Sequence, residues 1–365
     1  MQAFCNTSQG RATAQRHSVV AITIVSLALG SFVDISSARA DEVLPKHITP
    51  ETLKAVRAGL EYLARIQGED GAWREGAGGQ EYPVAMSGLA CMPFLAQGNT
   101  TTRGRYAQQL DRATDFLLKC STKSGLITGN SEEGGRPMYG HGFSMLALAT
   151  IYGSESKPQR RNAIRDVINK GIAITSNGQS RDGGWTYVPG GGDEGSVTVT
   201  QVQALRACEN AGFEVPKGTI EQAVRYIERC RTPEGGIRYS LGSGGEAMLA
   251  ISAAAPATLY NAGQYDAPIA ANCLEFVWQR FQAREGWNKG TGHEFYAHFY
   301  AAQAFYTAGD KYWDNYFPGA RDELLKMQNE KDGSWNGDGI GPVYGTAIAL
   351  VILQLPYKFL PIYQR

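Results

Sequence analysis

Three short triplets carry the residue types with the most chemistry in them. Tyr139-Gly140-His141, Tyr296-Ala297-His298 and Tyr344-Gly345-Thr346 each open an apolar run, and carboxylates stand close by: Asp193 with Glu194, Glu246, and Glu294 beside His293. An imidazole titrates near neutral pH, and a carboxyl or phenol in a partly dry pocket can give or take a proton, so such a set suits general acid–base work. The candidate catalytic residues are therefore His141, His298, Asp193 and Glu294. Tyr139, Tyr296, Phe299, Tyr300 and Tyr344 are the candidate ligand-binding residues, because aromatic faces suit a polyene and can stabilise a cation. The competing role for each Tyr and His is structural: satisfying backbone groups at a helix start or a neighbouring loop. In the run "HEFYAHFYAAQAFYTAG", helical spacing places 296, 299 and 300 on one side and 305 elsewhere.

A second pattern says what must position these groups. "QGEDGAW" at 67–73 and "QSRDGGW" at 179–185 share Gln, Asp, Gly and Trp at the same four places. Looser copies centre on Gly125, Gly235, Gly286 and Gly333, so the phrase recurs six times at intervals of 47 to 58 residues. A period in this range marks an array of supersecondary units. Gln328 lies one residue further from Trp335 than Gln67 does from Trp73, and Ile127 and Ile237 replace the Trp in the second and fourth copies.

Each copy is preceded by an amphipathic helix and followed by a Gly-rich loop and a helix that is apolar nearly all round. In "TPETLKAVRAGLEYLARIQ", Leu53, Val56, Leu60 and Leu63 form one stripe, with Thr49 as N-cap and Pro50 as first helical residue. "YPVAMSGLACMPFLAQG" and "VYGTAIALVILQL" are of the second kind. Half-polar helices can face water, whereas all-apolar ones must be covered, so the two kinds form two layers. Six hairpins stacked with a steady turn predict an all-α fold, an α/α toroid (α6/α6 barrel) of twelve helices; an open superhelix is the geometric alternative. In this arrangement the phrase holds the ring together. Its Gly permits a sharp loop, its Asp bonds turn amides, its Trp covers the gap between hairpins, and its Gln reaches free backbone groups.

At the N-terminus, Arg11 and Arg16 precede "VVAITIVSLALGSFV" and then Ala38-Arg39-Ala40. This order is that of a secretory signal peptide, expected over residues 1–40, with the toroid as a single domain over 41–365. The chain is therefore expected to be exported, in the periplasm or secreted. The 35 basic and 35 acidic residues balance, which argues against a nucleic-acid partner or an anionic membrane surface. Later apolar runs are too short to span a bilayer. Cys91, Cys120, Cys208, Cys230 and Cys273 follow the leader, an odd number that buried reduced thiols explain best. No C-x-x-C pair points to a metal, and no cofactor is expected.

With "QGEDGAW", "QSRDGGW" and "QNEKDGSW" as its marks, the chain resembles the terpenoid cyclase and protein prenyltransferase superfamily, over essentially all of residues 41–365. It is similar in particular to exported bacterial prenyltransferase or squalene oxidase repeat proteins. That resemblance implies a barrel with a largely apolar central cavity for an isoprenoid-type ligand. It carries less of the chemistry. Against the D-x-D-D acid of type II cyclases, "GGGDEGSVTVTQ" offers Asp193 at the first place but Gly195 and Ser196 at the third and fourth. The D-x-C of the zinc-dependent prenyltransferases and the C-G-E-Q of the thioester relatives do not occur.

Three functions follow as expectations. The first is an exported toroid that binds an apolar isoprenoid-type molecule, with isomerisation or cyclisation as its step if it is active. The second is a non-catalytic module that presents its loops to a protein partner. The third is a polysaccharide-acting enzyme of the lyase type, using a Tyr-x-His pair.

Overall fold

The computed structural model describes residues 44–76, 80–129, 131–282 and 292–364. The expected leader and the fifth copy of the phrase, at Gly286 and Trp287, lie outside the described residues. The chain runs as α1 (Pro50–Ile66) and α2 (Pro83–Ala96), then α3 (Ala107–Lys119), a short α4 (Ser131–Gly134) and α5 (Pro137–Tyr152). It continues through α6 (Pro158–Asn177) and α7 (Gly195–Asn210), α8 (Lys217–Cys230) and α9 (Leu249–Asn261), α10 (Pro268–Gln282) and α11 (Glu294–Ala308), and α12 (Asp310–Met327) and α13 (Pro342–Gln354).

Among the described residues the twelve long helices form two layers. α2 packs on α5, α5 on α7, α7 on α9, α9 on α11, α11 on α13, and α13 returns to α2. This inner ring is closed, as expected of a toroid rather than a superhelix. The helices that precede them lie outside, each packed on an inner partner. The polarity of the sequence explains the division. Every residue of α2 and α9 is buried, which only an inner position provides. On α1, Val56, Leu60 and Leu63 are buried, Leu53 lies at the edge of the stripe, and the other face meets water. Thr49 caps this helix, accepting from Thr52 N in a capping box, with Pro50 at the first turn.

The repeated phrase is a joint. Gln67, Gln179 and Gln328 each donate their Nε2 to the carbonyl of the phrase glycine (2.9, 2.7 and 2.9 Å) and to a carbonyl of the next outer helix: Gln109, Thr219 and Ala55, all at 2.9 Å. Since Ala55 is in α1, the last of these closes the ring. Trp73, Trp185 and Trp335 are fully buried, and each indole N–H donates to a carbonyl of the outer helix before it, at 2.7–2.8 Å. Gly71 and Gly183 have φ of 92° and 96°, and a Cβ there would stand 2.3 Å from the carbonyl oxygen of Arg112 or Gln222. Both the left-handed turn and the close passage of the next helix demand glycine. The acids vary more: Asp70 and Asp332 accept turn amides, whereas Asp182 pairs with Arg229 at 3.0 Å.

A second stitch joins the inner helices. Among the described residues, five of the loops after the phrase each supply an acceptor to the start of the inner helix before it. Glu133 takes the amides of Val84 and Ala85 (3.0 and 2.8 Å), and Asp338 those of Phe295 and Tyr296 (2.9 and 3.0 Å). The carbonyls of Tyr187 and Tyr239 take Met138 N and Gly195 N. Glu75 takes Tyr344 N at 3.0 Å, again joining the last hairpin to the first. A carboxylate at a helix N-terminus satisfies orphan amides and meets the positive end of the helix dipole.

The lumen is not the open apolar cavity that the resemblance implies. Gln203 of α7 donates to Gln303 Oε1 of α11 at 2.6 Å, although α9 stands between these two helices in the ring, so the bond crosses the interior. Tyr300 is fully buried one turn away, and the terminal turn Pro361–Tyr363 packs on α7 and α11 to bury Ile362 and Tyr363. Bulky polar side chains on inner positions account for this closure. No described helix is long and apolar enough to cross a membrane. Among the described residues no cysteine is in a disulfide; Cys91, Cys208, Cys230 and Cys273 are buried, and burial pushes the Cys91 thiol up to about 12.

Candidate functional site: the tyrosine mouth

The inner helices begin at one end of the ring, and what they carry in their first turns converges there. Tyr139 of α5, Tyr296 and Tyr300 of α11 and Tyr344 of α13 share this mouth with Glu194, the N-cap of α7. The Tyr296 hydroxyl donates to Ser196 O at 3.0 Å, from α11 to α7, so its ring lies across the opening. The Ser196 hydroxyl is 2.6 and 2.9 Å from the two Glu194 carboxylate oxygens and donates to them, so the Tyr139 hydroxyl donates to Ser196 Oγ. Tyr344 donates to Asp338 Oδ2 at 3.1 Å. Below them the Tyr300 ring meets Tyr296 edge-on, with centroids 4.9 Å apart.

The rim is aromatic too. Tyr187 and Tyr239 share a hydrogen bond of 2.6 Å between their hydroxyls, the Tyr187 ring is 6.0 Å from that of Tyr139, and the Arg136 guanidinium lies 4.9 Å over the Tyr187 ring. Tyr139 and Tyr296 are hemmed in by protein yet keep part of their surface open to water. Burial pushes both phenols, and that of Tyr344, well above the usual value of 10. It also raises the Tyr300 phenol to about 12. These groups are neutral at physiological pH and present faces rather than charge.

The carboxylates at this end are engaged. Glu194 accepts the amides of Ser196 and Val197 at 3.0 and 2.5 Å. Burial raises its carboxyl above the usual range against these bonds, and burial does the same to Glu133 and Glu75. Asp338 serves two amides and a phenol.

The four candidate catalytic residues do not meet at the mouth. His141 is fully buried on the outward side of α5, where its Nδ1 accepts from Ile127 N at 3.2 Å and its Nε2 bonds Thr175 Oγ1 of α6 at 2.9 Å. Because the backbone N–H must donate, Nε2 carries the proton. In four of the other hairpins a hydroxyl fills the same place: Ser87, Thr198, Ser252 and Thr346 accept from the backbone N–H of Trp73, Trp185, Ile237 and Trp335. His298, the fifth residue of α11 as His141 is of α5, points outward as well, with Nδ1 2.9 Å from Tyr316 Oη on α12. Two residues along a helix turn through about 200°, so a Tyr at the axis sends the His two places on to the outer layer. His298 and Glu294 do share a groove of about 440 Å³ between α10 and α12, lined also by Trp278, Phe281 and Tyr316. Asp193 turns to the Leu241 amide at 3.4 Å. Of the ligand-binding candidates, Tyr139, Tyr296, Tyr300 and Tyr344 come together, whereas Phe299 is buried beside Tyr300.

Arg136, Ser196, Tyr187, Tyr239 and Asp338 belong to the mouth and were not among the candidates. A signal for three of the mouth residues lies in the sequence: Glu75, Tyr187 and Tyr239 each stand two places after the Trp or Ile of their phrase.

No family model and no curated protein matches the chain. Solved structures do. Type II terpene cyclase MstE from Scytonema, in complex with geranylgeranyl dihydroxybenzoate, is similar with a TM-score of 0.58 at 13% identity, covering 86% of this chain and 98% of that one. An inactive variant of α-1,6-mannanase GH76A of Salegentibacter sp. HEL1_6, in complex with α-1,6-mannotetrose, gives 0.58 at 10% identity, with 84% and 98% covered. A protein from Actinoplanes gives 0.58 at 17%, with 84% and 99% covered. At these identities the likeness shows the fold, an α/α toroid, and the fold hosts unrelated chemistries.

Proposed function

We propose that this chain is an exported binding toroid that takes an apolar, isoprenoid-type molecule at its tyrosine mouth. The observation that carries the reading is the convergence of Tyr139, Tyr296, Tyr300 and Tyr344, with the hydroxyls of Tyr139, Tyr296 and Tyr344 turned onto protein acceptors. A neutral aromatic floor favours apolar surface over charge. MstE, whose structure holds a geranylgeranyl compound, has the same fold, which adds support by analogy alone.

The reading is of binding first. Cyclisation started by a carboxylic acid needs an unspent acid aimed at the ligand, and Glu194 and Asp338 cap helices. The lyase-type alternative needs Tyr and His to converge on one substrate, and the pairs here diverge. Turnover would have to come from the phenols.

Organic extraction of the protein purified from its native host, followed by mass spectrometry, tests the proposal, with retinol as a defined isoprenoid probe in equilibrium dialysis. An extractable isoprenoid is expected, as is retinol binding weakened about tenfold in Tyr296→Ala, since a lost aromatic contact is worth about 1.4 kcal/mol or more. Protein that holds neither lipid nor retinol overturns it. Export is checked by N-terminal sequencing of the mature chain, expected to begin at Asp41.

A further inference from the structure

Counting protons at the mouth identifies donors with nothing to donate to. The hydroxyl protons of Tyr139, Tyr296 and Tyr344 are each committed to a protein oxygen. Tyr187 and Tyr239 bond each other, and a single hydrogen bond between two phenols uses one of their two protons. The other O–H is free, on a pair that is half-buried at the rim. Beside it stands Arg136, exposed, its guanidinium over the Tyr187 ring, with no carboxylate paired to it among the described residues. The Tyr300 hydroxyl, fully buried beneath the floor, also has no partner among the described residues, but at the rim one surplus phenol proton and one unpaired guanidinium face the same edge of an otherwise neutral aromatic floor.

Resting on the binding reading above, we infer that the ligand is an acid: its apolar body lies on the tyrosine floor and a single carboxylate docks on Arg136 and the Tyr187–Tyr239 pair. Arg136 can only donate, and the phenol pair holds one proton more than it can use internally, so the rim favours a head group that accepts without donating. A carboxylate does so through two oxygens, and an ion-assisted bond to guanidinium is stronger than a neutral one. An alcohol can lend its proton to a phenol oxygen of the pair but brings the guanidinium no charge, and the carboxylates nearby, Glu194 and Asp338, are engaged by amides and hydroxyls. A phosphate monoester, carrying nearly two charges, would meet only one cation. The 6.0 Å between the Tyr187 and Tyr139 rings makes rim and floor continuous, so head and body can be held together.

Equilibrium dialysis with retinoic acid, methyl retinoate and retinol separates this inference from the reading beneath it. The three probes share one apolar body and differ at the head. Wild-type protein is expected to hold the acid about tenfold more tightly than the methyl ester. The ratio of acid to ester affinity should fall to about two in Arg136→Met, which keeps the stem and removes the charge. It should fall in part in the double variant Tyr187→Phe/Tyr239→Phe. The Arg136 side chain is exposed and bonds no helix amide, so Arg136→Met should fold, and far-ultraviolet circular dichroism checks that it does. Equal affinity for all three probes, or an acid preference that survives Arg136→Met, overturns the head-group assignment and leaves apolar binding standing. Failure to bind any of the three overturns both.

Discussion

Replacing His141 should remove a defined part of the pH dependence of stability. Burial holds this imidazole down to a pKa of about 4 in the folded chain, against 6.5 for an ordinary histidine. The unfolded chain therefore takes up the proton first as the pH falls. Stability is whole above about pH 6.5, declines as the pH drops from there towards 4, and is flat below. One pKa unit is about 1.4 kcal/mol, so the full contribution is about 3 kcal/mol, and about 2 kcal/mol of it goes between pH 7 and pH 5. The variant to compare is His141→Asn, whose amide oxygen can still accept from the Ile127 N–H. It should be less stable at pH 7 by about 1–3 kcal/mol, for the lost bond to Thr175 and the space left behind. The assay is urea unfolding at pH 7, 6 and 5 in a constant-ionic-strength buffer. Wild type minus variant should shrink by about 2 kcal/mol across this range, because the other titrating groups cancel in the difference. A difference that stays constant from pH 7 to pH 5 would refute the placement of a neutral, fully engaged imidazole at this joint.

Three further outcomes test the ring. Trp335→Ala should cost about 3–5 kcal/mol in urea unfolding, as expected for a fully buried Trp, and Trp335→Phe about 1–3 kcal/mol for the unpaired Leu324 carbonyl. Glu75→Gln leaves one acceptor where Tyr344 N now meets a carboxylate and should cost about 1 kcal/mol; faster hydrogen exchange at the start of α13 is the local readout. Gly183→Ala sets a Cβ against the Gln222 carbonyl in a left-handed turn and should destabilise by more than about 1 kcal/mol, whereas the same change at exposed Gly218, where a Cβ meets nothing, should stabilise or be neutral.

The ring was legible in the sequence because its causes are periodic. Alternating half-polar and all-apolar helices dictate two layers, and the phrase at 47–58 residues counts the hairpins. The role of the phrase glutamine as a link to backbone carbonyls could also be read, since its neighbours recur with it. The histidine positions could not. The residue that bonds the phrase backbone lies 14 places on for Ser87 and His141, 13 for Thr198, 15 for Ser252 and 11 for Thr346. Loops of unequal length hide the equivalence, and an isolated His before a Phe-rich run looks like chemistry. Tyr187, Tyr239 and Arg136 were missed for the opposite reason: they sit in loops with no helical period, and only the ring brings them to one rim.

The same stitching that closes the ring also narrows what it can do. Among the described residues five junctions place an acceptor over the start of an inner helix, and at three of them it is the carboxylate of Glu75, Glu133 or Asp338 that would otherwise be available to a ligand. At two junctions the backbone carbonyls of Tyr187 and Tyr239 do this work, which releases both side chains towards the opening. Those two junctions flank α5 and α7, next to Arg136 and to Ser196. The asymmetry of the mouth follows: acids tied down around most of the circle, and donors left over on one side. A ring built with a carboxylate at all five junctions would have a mouth without a preferred end. Exchanging one backbone-capped junction for a carboxylate one, by grafting the Glu133 loop in place of the Tyr187 loop, should therefore lower the ratio of retinoic acid to methyl retinoate affinity in equilibrium dialysis, but only in part since Arg136 remains, while leaving the toroid closed.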